Sequence, residues 1–299
     1  MKVRVGEAVQ DSAERLDAAG VAFGHGTTDA GQEALWLAAH VLGLDWHALV
    51  GALDDPMPAP AAAALRKLTE RRISTRKPAA YLLNEAWLGP HRFYVDERVI
   101  VPRSFIFELL ETGDRPLGPL LGNGKQTKWS VPGSVLDLCT GSGCLAILAA
   151  LAWPQARVDA ADISPEALEV ARRNVDDYRL AERVSLVRSD LFAGLAGRTY
   201  DLIVSNPPYV KAASMKKLPE EYRREPALAL ASGADGLDHV RVILRKARAH
   251  LNRGGLLVVE VGHNRKALEK AFPDLPFEWP RTSGGRNFVF TLPREALPR

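Results

Sequence analysis

Residues 200–209 read YDLIVSNPPY, an apolar run that ends in two consecutive prolines before a tyrosine. The segment 201–204 predicts a buried strand of a parallel sheet, because such strands are apolar on both faces. Proline has no N–H to donate to a neighbouring strand, so the proline pair ends the strand. In open α/β sheets, ligands bind at the carboxyl ends of the strands. Residues 206–209 are therefore a candidate functional site.

The four residues 206–209 suit the recognition of a flat NH2 group. The side-chain oxygen of Asn206 and the backbone carbonyl of Pro207 can each accept one N–H of a planar amide or amine. The Tyr209 ring can stack on its face, and Pro208 belongs to the same turn. The alternative is an ordinary proline-rich turn in which Asn206 acts as a local cap. Taken alone, the four residues leave both interpretations open.

An upstream strand ends in the sequence DLCTGSGC at residues 137–144. Gly141 and Gly143 would let the backbone pass close to a ligand, and the helix that follows offers free N–H groups. A dinucleotide site is the alternative, but the Asp137 carboxylate would repel a pyrophosphate. A carboxylate instead suits a ligand that carries an amino acid tail and a sulfonium charge.

Acidic residues also end the next two strands. Asp162 lies 19 residues beyond Gly143 and can accept both hydroxyls of a ribose. The alternative is that Asp162 caps the following helix, although Ser164 already suits that role. Asp190 can accept an N–H from an adenine amino group while Leu191 packs on the ring. Acids at three successive strand ends favour a binding site.

The chain from residue 134 onward alternates predicted strands and helices, which indicates a doubly wound, mostly parallel sheet. Strands are expected at 134–138, 157–161, 184–187, 201–204 and 256–261. An antiparallel pair at 275–279 and 287–292 is expected to close a seven-stranded sheet. Helices are expected at 145–152, from 164 onward and at 237–251, the last of them ended by the glycines at 254–255.

Three regions are expected along the chain. Residues 1–78 show helical spacing of Ala and Leu, which predicts a small domain of three or four helices. Residues 79–101 predict a β-hairpin that turns at 89–92 and links this domain to the rest. Residues 102–299 form the sheet domain, which contains a glycine- and proline-rich loop at 113–133.

Tryptophan and histidine residues of the helical region are expected to be structural. Trp36 and Trp46 are large and apolar and are expected in its core. His25, His40 and His47 show no metal-ligand spacing with carboxylates or thiols, so no metal site is predicted.

The composition is 46% hydrophobic and 25% charged, which is typical of a globular protein. A net charge of +3 is too weak to argue by itself for nucleic-acid binding. Cys139 and Cys144 fit neither disulfide nor zinc spacing and are expected to be small buried residues in a reducing compartment. The chain shows no signal-peptide pattern and no apolar run of membrane-spanning length, so a cytoplasmic location is expected.

Several stretches resemble the class I S-adenosylmethionine-dependent methyltransferases that modify planar NH2 groups. Residues 76–82 (RKPAAYL), 93–99 (FYVDERV), 101–104 (VPRS) and 137–146 (DLCTGSGCLA) are similar to the HemK-like protein glutamine methyltransferases. Within that family, the DLCTGSGC turn with residues 221–226 (EYRREP) and 230–233 (LASG) resembles the PrmB branch, which methylates a glutamine of a large-subunit ribosomal protein. The departures are Phe105, where the family often has proline, and the insertion at 113–133.

The resemblance implies a class I methyltransferase fold, in which a Rossmann-like sheet domain follows a small helical substrate-recognition domain. It implies S-adenosyl-L-methionine as cofactor and S-adenosyl-L-homocysteine as its product. The implied cofactor-binding residues are Asp137, Cys139, Thr140, Gly141, Gly143, Asp162, Asp190, Leu191 and Asn206. The implied substrate contacts are Arg103, Asn206, Pro207, Pro208 and Tyr209, of which Asn206, Pro207 and Tyr209 would be catalytic. The sequence leaves open whether Arg103 faces the cleft or the solvent.

The substrate implied by the resemblance is a large-subunit ribosomal protein, either free or within a pre-ribosomal particle. The nearest alternative is a peptide chain release factor, although enzymes of that branch usually have glycine where Cys139 stands. DNA adenine methyltransferases share the tetrapeptide but should carry a strongly basic recognition domain. A net charge of +3 argues against that class. Neither stable DNA binding nor membrane association is expected.

Overall fold

The computed structural model of the protein describes residues 3–111 and 131–299. The loop expected at 113–133 lies outside the described residues except for its last three positions. The N-terminal helices are α1 (Val5–Ala18), α2 (Ala30–Leu42), α3 (Trp46–Gly51), α4 (Ala59–Thr75) and α5 (Ala79–Leu83).

The N-terminal helices pack around one apolar core, which includes Leu16, Leu37, Leu49 and Leu65. Asp29 and Asp45 begin α2 and α3 by accepting a hydrogen bond from a backbone N–H three residues on. A bundle of helices was expected here, and the structure has it.

The two tryptophans of this region differ in how deeply they are buried. Trp36 is half-buried against the core and donates its Nε1–H to Glu85 at 3.1 Å. Trp46 is 51% exposed, so its expected place in the core is wrong. It is the first residue of the six-residue α3, and only Leu49 of that helix is buried.

A β-hairpin follows, formed by β1 (Ala86–Leu88) and β2 (His91–Phe93). A hairpin is present, but it spans only 86–93 of the expected 79–101, because residues 79–83 form the helix α5, and its turn is shorter than expected. His91 already pairs with Leu88, so only Gly89 and Pro90 connect the strands. Gly89 has a φ of +58°, which a tight two-residue turn requires.

The central sheet consists of β3 (Ser134–Leu138), β4 (Arg157–Asp162), β5 (Val184–Arg188), β6 (Tyr200–Ser205), β7 (Leu251–Glu260) and β8 (Val289–Pro293). Their order is β5-β4-β3-β6-β7-β8, and all neighbours are parallel except β7 and β8. The helices around it are α6 (Ile106–Glu111), α7 (Cys144–Ala152), α8 (Pro165–Asp177), α9 (Ala212–Met215), α10 (Asp238–Lys246) and α11 (Arg265–Ala271). The doubly wound sheet is confirmed, with its strand order reversing between β3 and β6, where ligands bind in such folds.

Two details of the sheet differ from expectation. The sheet among the described residues has six strands, because the segment at 275–279 makes only a single antiparallel bridge between Glu278 and Thr291. Pro276 and Pro280 flank that bridge and have no N–H with which to extend it. The helix expected to reach residue 251 ends at Lys246, so the glycines at 254–255 lie inside β7 instead of ending a helix.

Candidate active site

The carboxyl ends of β3 and β6 open onto a cavity that we call the main cleft. Leu138 and Ser205 end these two neighbouring strands and pair with each other. The turns that follow them therefore lie side by side. Seven of the expected site residues line this cleft: Cys139, Gly141, Asp162, Asp190, Leu191, Asn206 and Pro208.

A smaller cavity, the side pocket, adjoins the main cleft. The two cavities share Ile100, Cys139, Gly141 and Asn206 in their linings. The side pocket adds Arg103, Ser104 and Thr140, among others. Asn206 therefore lies between the main cleft and the side pocket. Most of the predicted cofactor-binding residues line the main cleft.

The turn after β3 is held in a left-handed backbone conformation. Gly141 and Gly143 have φ angles of +55° and +80°, and Cys139 has a φ of +64°. A Cβ placed on Gly143 would lie 3.1 Å from the Cβ of Ala171, so this glycine allows α7 and α8 to pack closely. A Cβ on Gly141 would meet nothing within 4 Å, which leaves open space above the turn.

Asp137 lies beneath this turn, not in the cleft. It is 1% exposed, and its Oδ2 accepts hydrogen bonds from Thr140 Oγ1 at 2.5 Å and from Ala146 N at 3.0 Å. Burial raises the pKa of Asp137 to about 7. Neither Asp137 nor Gly143 is among the described residues that line either cavity. The Oδ2 atom of Asp137 therefore fixes the turn, while its Oδ1 atom is buried without a partner among the described residues.

Asp162 lies both at the start of α8 and in the wall of the main cleft. Its carboxylate accepts hydrogen bonds from Gly141 N at 2.9 Å and from Ser164 N at 3.0 Å, and it lines the main cleft. Ser164 caps α8 by accepting from Ala167 N at 3.0 Å, as expected. Burial raises the pKa of Asp162. Each oxygen retains a further lone pair that a hydroxyl group can use.

The lining of the main cleft around Asp190 combines apolar and polar side chains, the polar ones including Ser189 and His239. Leu191 adopts a φ of +48° and is buried beside the exposed Asp190. Ile163 and Leu228 line the same cleft, although both are exposed to solvent. This lining suits a flat aromatic ring with one polar edge.

Residues 206–209 present an acceptor without a partner. Asn206 Oδ1 is buried and accepts no hydrogen bond from the described residues. A buried carbonyl oxygen in this state is costly unless a ligand or water satisfies it. Pro207 is buried, and the carbonyl of Tyr209 is held by Asn264 Nδ2 at 2.8 Å. Burial raises the pKa of Tyr209, which keeps its ring neutral.

Gly262 supports the Tyr209 ring from below. A Cβ on Gly262 would lie 2.7 Å from the ring, and the residue has a φ of +53°. We expect Gly262→Ala to displace the ring and to lower kcat/KM by up to about 10²-fold, because catalytic geometry tolerates little movement. Steady-state kinetics would measure this effect.

Gly20→Ala is the matched control for backbone strain. Gly20 has a φ of +58°, and its added Cβ would meet nothing within 4 Å. Both variants should therefore cost about 1–2 kcal/mol of stability, but only Gly262→Ala should lose activity. Equal activity in the two variants would show that the position of the Tyr209 ring is unimportant.

Arg103 faces the side pocket, which answers the question that the sequence left open. Its Nη1 and Nη2 donate to the two carboxylate oxygens of Glu225 at 2.6 and 2.7 Å. Burial alone would raise the pKa of Glu225, but the charge of Arg103 and the bonds to it outweigh this and lower it to about 2. The guanidinium therefore has a fixed position in the wall of the pocket.

The N-terminal helices reach this site through a buried ionic network. Arg72 of α4 is fully buried; its Nε donates to Glu33 at 2.7 Å, its Nη1 to Glu221 at 3.3 Å and its Nη2 to the carbonyl of Ala22 at 2.9 Å. Arg76 Nε lies 3.0 Å from Glu221. The segment that carries Glu221 also carries Glu225, so the helices are tied to the wall of the side pocket.

His25 belongs to the same contact. Its ring centroid lies 4.2 Å from that of Tyr222, and its Nε2 lies 3.6 Å from Glu225 Oε2. A Cβ on Gly24 would lie 2.2 Å from the Tyr222 hydroxyl, so glycine is needed for this approach. The structural role expected of His25 is thus a packing role between the helices and the site.

Glu260, at the end of β7, is a buried carboxylate that the sequence analysis did not single out. Its Oε2 accepts hydrogen bonds from Ser104 Oγ at 2.7 Å and from Phe105 N at 2.9 Å. Burial raises the pKa of Glu260 to about 7, although Ser104 and Phe105 stabilise its charged form. A signal was present in the sequence, since an acid ends the otherwise apolar run LLVVE at residues 256–260.

Residues 3–111 and 131–299 contain neither a metal-binding cluster nor a membrane-spanning helix. No group of three or more His, Cys, Asp or Glu side chains there could hold a metal ion. None of the helices in those ranges combines the length and the apolar character needed to cross a membrane. Cys139 and Cys144 are both free thiols, the second of them buried.

Two family models match the chain. The Methyltransferase small domain matches residues 125–233, which include the turn after β3 and residues 206–209. The PrmC N-terminal domain matches residues 7–83, which include the N-terminal helices.

Relatives are similar over almost the whole chain. A protein from Neisseria gonorrhoeae named ribosomal protein uL3 glutamine methyltransferase is 53% identical over 286 residues, which cover 95% of this chain and 92% of that protein. Its namesake from Neisseria meningitidis is 53% identical over 95% of this chain and 90% of its own length. Another from Bordetella pertussis is 50% identical over 97% of this chain and 94% of its own length. The resemblance drawn from the sequence is confirmed, and the protein belongs to the family of ribosomal protein uL3 glutamine methyltransferases.

Proposed function

We propose that the protein transfers a methyl group from S-adenosyl-L-methionine to the side-chain amide nitrogen of one glutamine in ribosomal protein uL3. The observation that carries this proposal is the buried, unpartnered Oδ1 of Asn206, where the main cleft meets the side pocket. The substrate is taken from the names of relatives that are 50–53% identical to this chain.

The residues of the main cleft fit this cofactor. Asp162 retains lone pairs for the ribose hydroxyls, and Asp190 can accept from the adenine amino group. Leu191 and Ile163 offer apolar surface to the adenine ring. When bound, the cofactor supplies a methyl group already activated by a sulfonium charge.

Residues 206–209 would bind and orient the glutamine. An amide nitrogen is a poor nucleophile because its lone pair is delocalised into the carbonyl. Asn206 Oδ1 and the carbonyl oxygen of Pro207 would accept its two N–H groups, which fixes the nitrogen in line for transfer and stabilises the positive charge that develops on it. The Tyr209 ring would hold the plane of the amide. Arg103, fixed by Glu225, would contact the substrate at the rim of the side pocket.

Mass spectrometry of ribosomal proteins tests this function. We expect uL3 from a strain that lacks the gene to be lighter by one methyl group, and expression of the protein to restore it. The enzyme should then be assayed with purified uL3 and with immature large-subunit particles as separate substrates. The assay determines which form of uL3 the enzyme methylates. Unchanged uL3 together with loss of a methyl group from a release factor would contradict the proposed substrate.

A further inference from the structure

The carboxylate of Glu260 lies directly behind the side pocket. Glu260 is 2% exposed, and its Oε2 accepts the proton of the Ser104 hydroxyl at 2.7 Å. Ser104 is itself 3% exposed and lines the side pocket together with Asn206. The Ser104 oxygen also accepts from Ile106 N at 3.2 Å, which leaves it one further lone pair. A continuous hydrogen-bonded path therefore leads from the pocket to a buried carboxylate.

The proposed reaction produces a proton that must leave this enclosed site. We propose that Ser104 and Glu260 form the path by which the proton of the methylated amide nitrogen leaves, with Glu260 as its acceptor. This inference rests on the proposed function, to which it adds two residues.

The amide nitrogen forms a bond to the methyl carbon, and the carbon–sulfur bond breaks with its electron pair remaining on sulfur. One N–H of the methylated nitrogen then leaves its carbonyl acceptor and turns to the Ser104 oxygen, which takes up its proton as the proton of that hydroxyl passes to Glu260 Oε2. The resulting carboxylic acid releases its proton to solvent after the product has left, which restores the carboxylate.

Other acids near the site are less suited to this role. Glu225 is held by two bonds to Arg103, and its pKa of about 2 makes it a weak acceptor. Asp137 accepts from Thr140, which also lines the side pocket, but Thr140 is one of the residues implied to bind the cofactor. Glu260 has a pKa raised to about 7 by burial, so it can take up and release a proton near neutral pH.

The charged and titratable groups around Glu260 come from three elements. Arg103 faces it from the segment before α6, and Tyr209 faces it from the turn after β6. His263, on the turn after β7, is three residues from Glu260 in sequence, and its ring packs against Phe288. Arg103 keeps its charge, and burial keeps Tyr209 neutral. Glu260→Gln therefore removes the titration of this carboxylate and leaves the charge states of Arg103 and Tyr209 unchanged.

A purely structural role for Glu260 is the competing explanation, since it accepts two hydrogen bonds at the start of α6. Glu260→Gln separates the two, because the glutamine oxygen can still accept from Ser104 and Phe105 but cannot take up a proton. Glu295→Gln is the matched control, since Glu295 accepts from the backbone N–H of Gly254 at 3.1 Å on the exposed edge of β7.

The first measurement needs neither cofactor nor substrate. A folded-state pKa of about 7 against an ordinary value of 4.5 means that the folded protein binds one extra proton between these pH values. Stability contributed by that proton is present below pH 4.5 and is lost as the pH rises to about 7. The Tm of the wild type should therefore fall more steeply over this range than the Tm of Glu260→Gln.

The second measurement is the pH dependence of kcat with uL3 as substrate. The wild-type rate should rise through about pH 7, and Glu260→Gln should lose this rise and about 10²-fold in kcat, with cofactor affinity unchanged. Ser104→Ala should lose activity similarly, which keeps the test informative if the Gln variant folds poorly. Wild-type kcat and pH profile in either variant would overturn the proposal. Absence of methylglutamine in the wild-type product would instead show that the proposed function is wrong.

Discussion

Replacing Asn206 by alanine is expected to lower kcat by about 10²- to 10³-fold, the usual cost of removing one group that stabilises developing charge. Asn206 Oδ1 has no partner among the described residues, so its removal breaks no internal hydrogen bond at that atom. The variant should therefore fold normally. Affinity for S-adenosyl-L-methionine, measured by calorimetry, should be nearly unchanged, because Asp162, Asp190 and Leu191 remain in the main cleft.

Asn252→Ala is the matched control for this variant. Asn252 donates to Asp201 at 2.8 Å, at the opposite end of β6 from the site, and its loss should leave kcat unchanged. Undiminished turnover in Asn206→Ala would remove the basis of the proposed mechanism. A loss of cofactor affinity as large as the loss of turnover would mean that Asn206 acts mainly on the cofactor.

Replacing Arg72 by methionine is expected to have the largest effect on stability. Arg72 is fully buried between Glu33 and Glu221, so its loss leaves Glu33 buried without its counter-charge and leaves Glu221 with Arg76 alone. Breaking a buried ion pair in this way typically costs about 3–5 kcal/mol. Urea denaturation followed by circular dichroism would measure the change in the free energy of unfolding.

Two further variants show whether the loss of stability comes from the buried network. Arg4→Met removes an ion pair with Asp54 whose side chains are 61% and 95% exposed, and it should change stability little. The double variant Glu33→Gln, Arg72→Met should recover much of the loss, because Glu221 keeps its ion pair with Arg76 and no other carboxylate is left unpaired. If Arg4→Met and Arg72→Met behave alike, the network does not hold the helices to the site.

The sequence predicted the strands and the candidate site at 206–209, because both depend on residues that are neighbours in the chain. Apolar runs of strand length predicted the parallel sheet, and the proline pair predicted where β6 ends. The strand expected at 275–279 failed for a related reason, since prolines at 276 and 280 restrict it to one bridge. Trp46 shows the limit of composition, because size and apolarity do not tell on which face of a short helix a residue lies.

The contacts made over long distances in sequence could not be predicted. Arg72 meets Glu221 across 149 residues, and Ser104 meets Glu260 across 156. No spacing rule relates such residues, since only the packed fold brings them together. The roles proposed for the site residues remain predictions.

A crystal structure with S-adenosyl-L-homocysteine and a glutamine-containing peptide of uL3 tests the central claim most directly. We expect the two N–H groups of the carboxamide to lie within hydrogen-bond distance of Asn206 Oδ1 and the Pro207 carbonyl oxygen, with the Tyr209 ring on its face. A glutamine side chain bound away from residues 206–209, or an Asn206 that contacts only the cofactor, would contradict it.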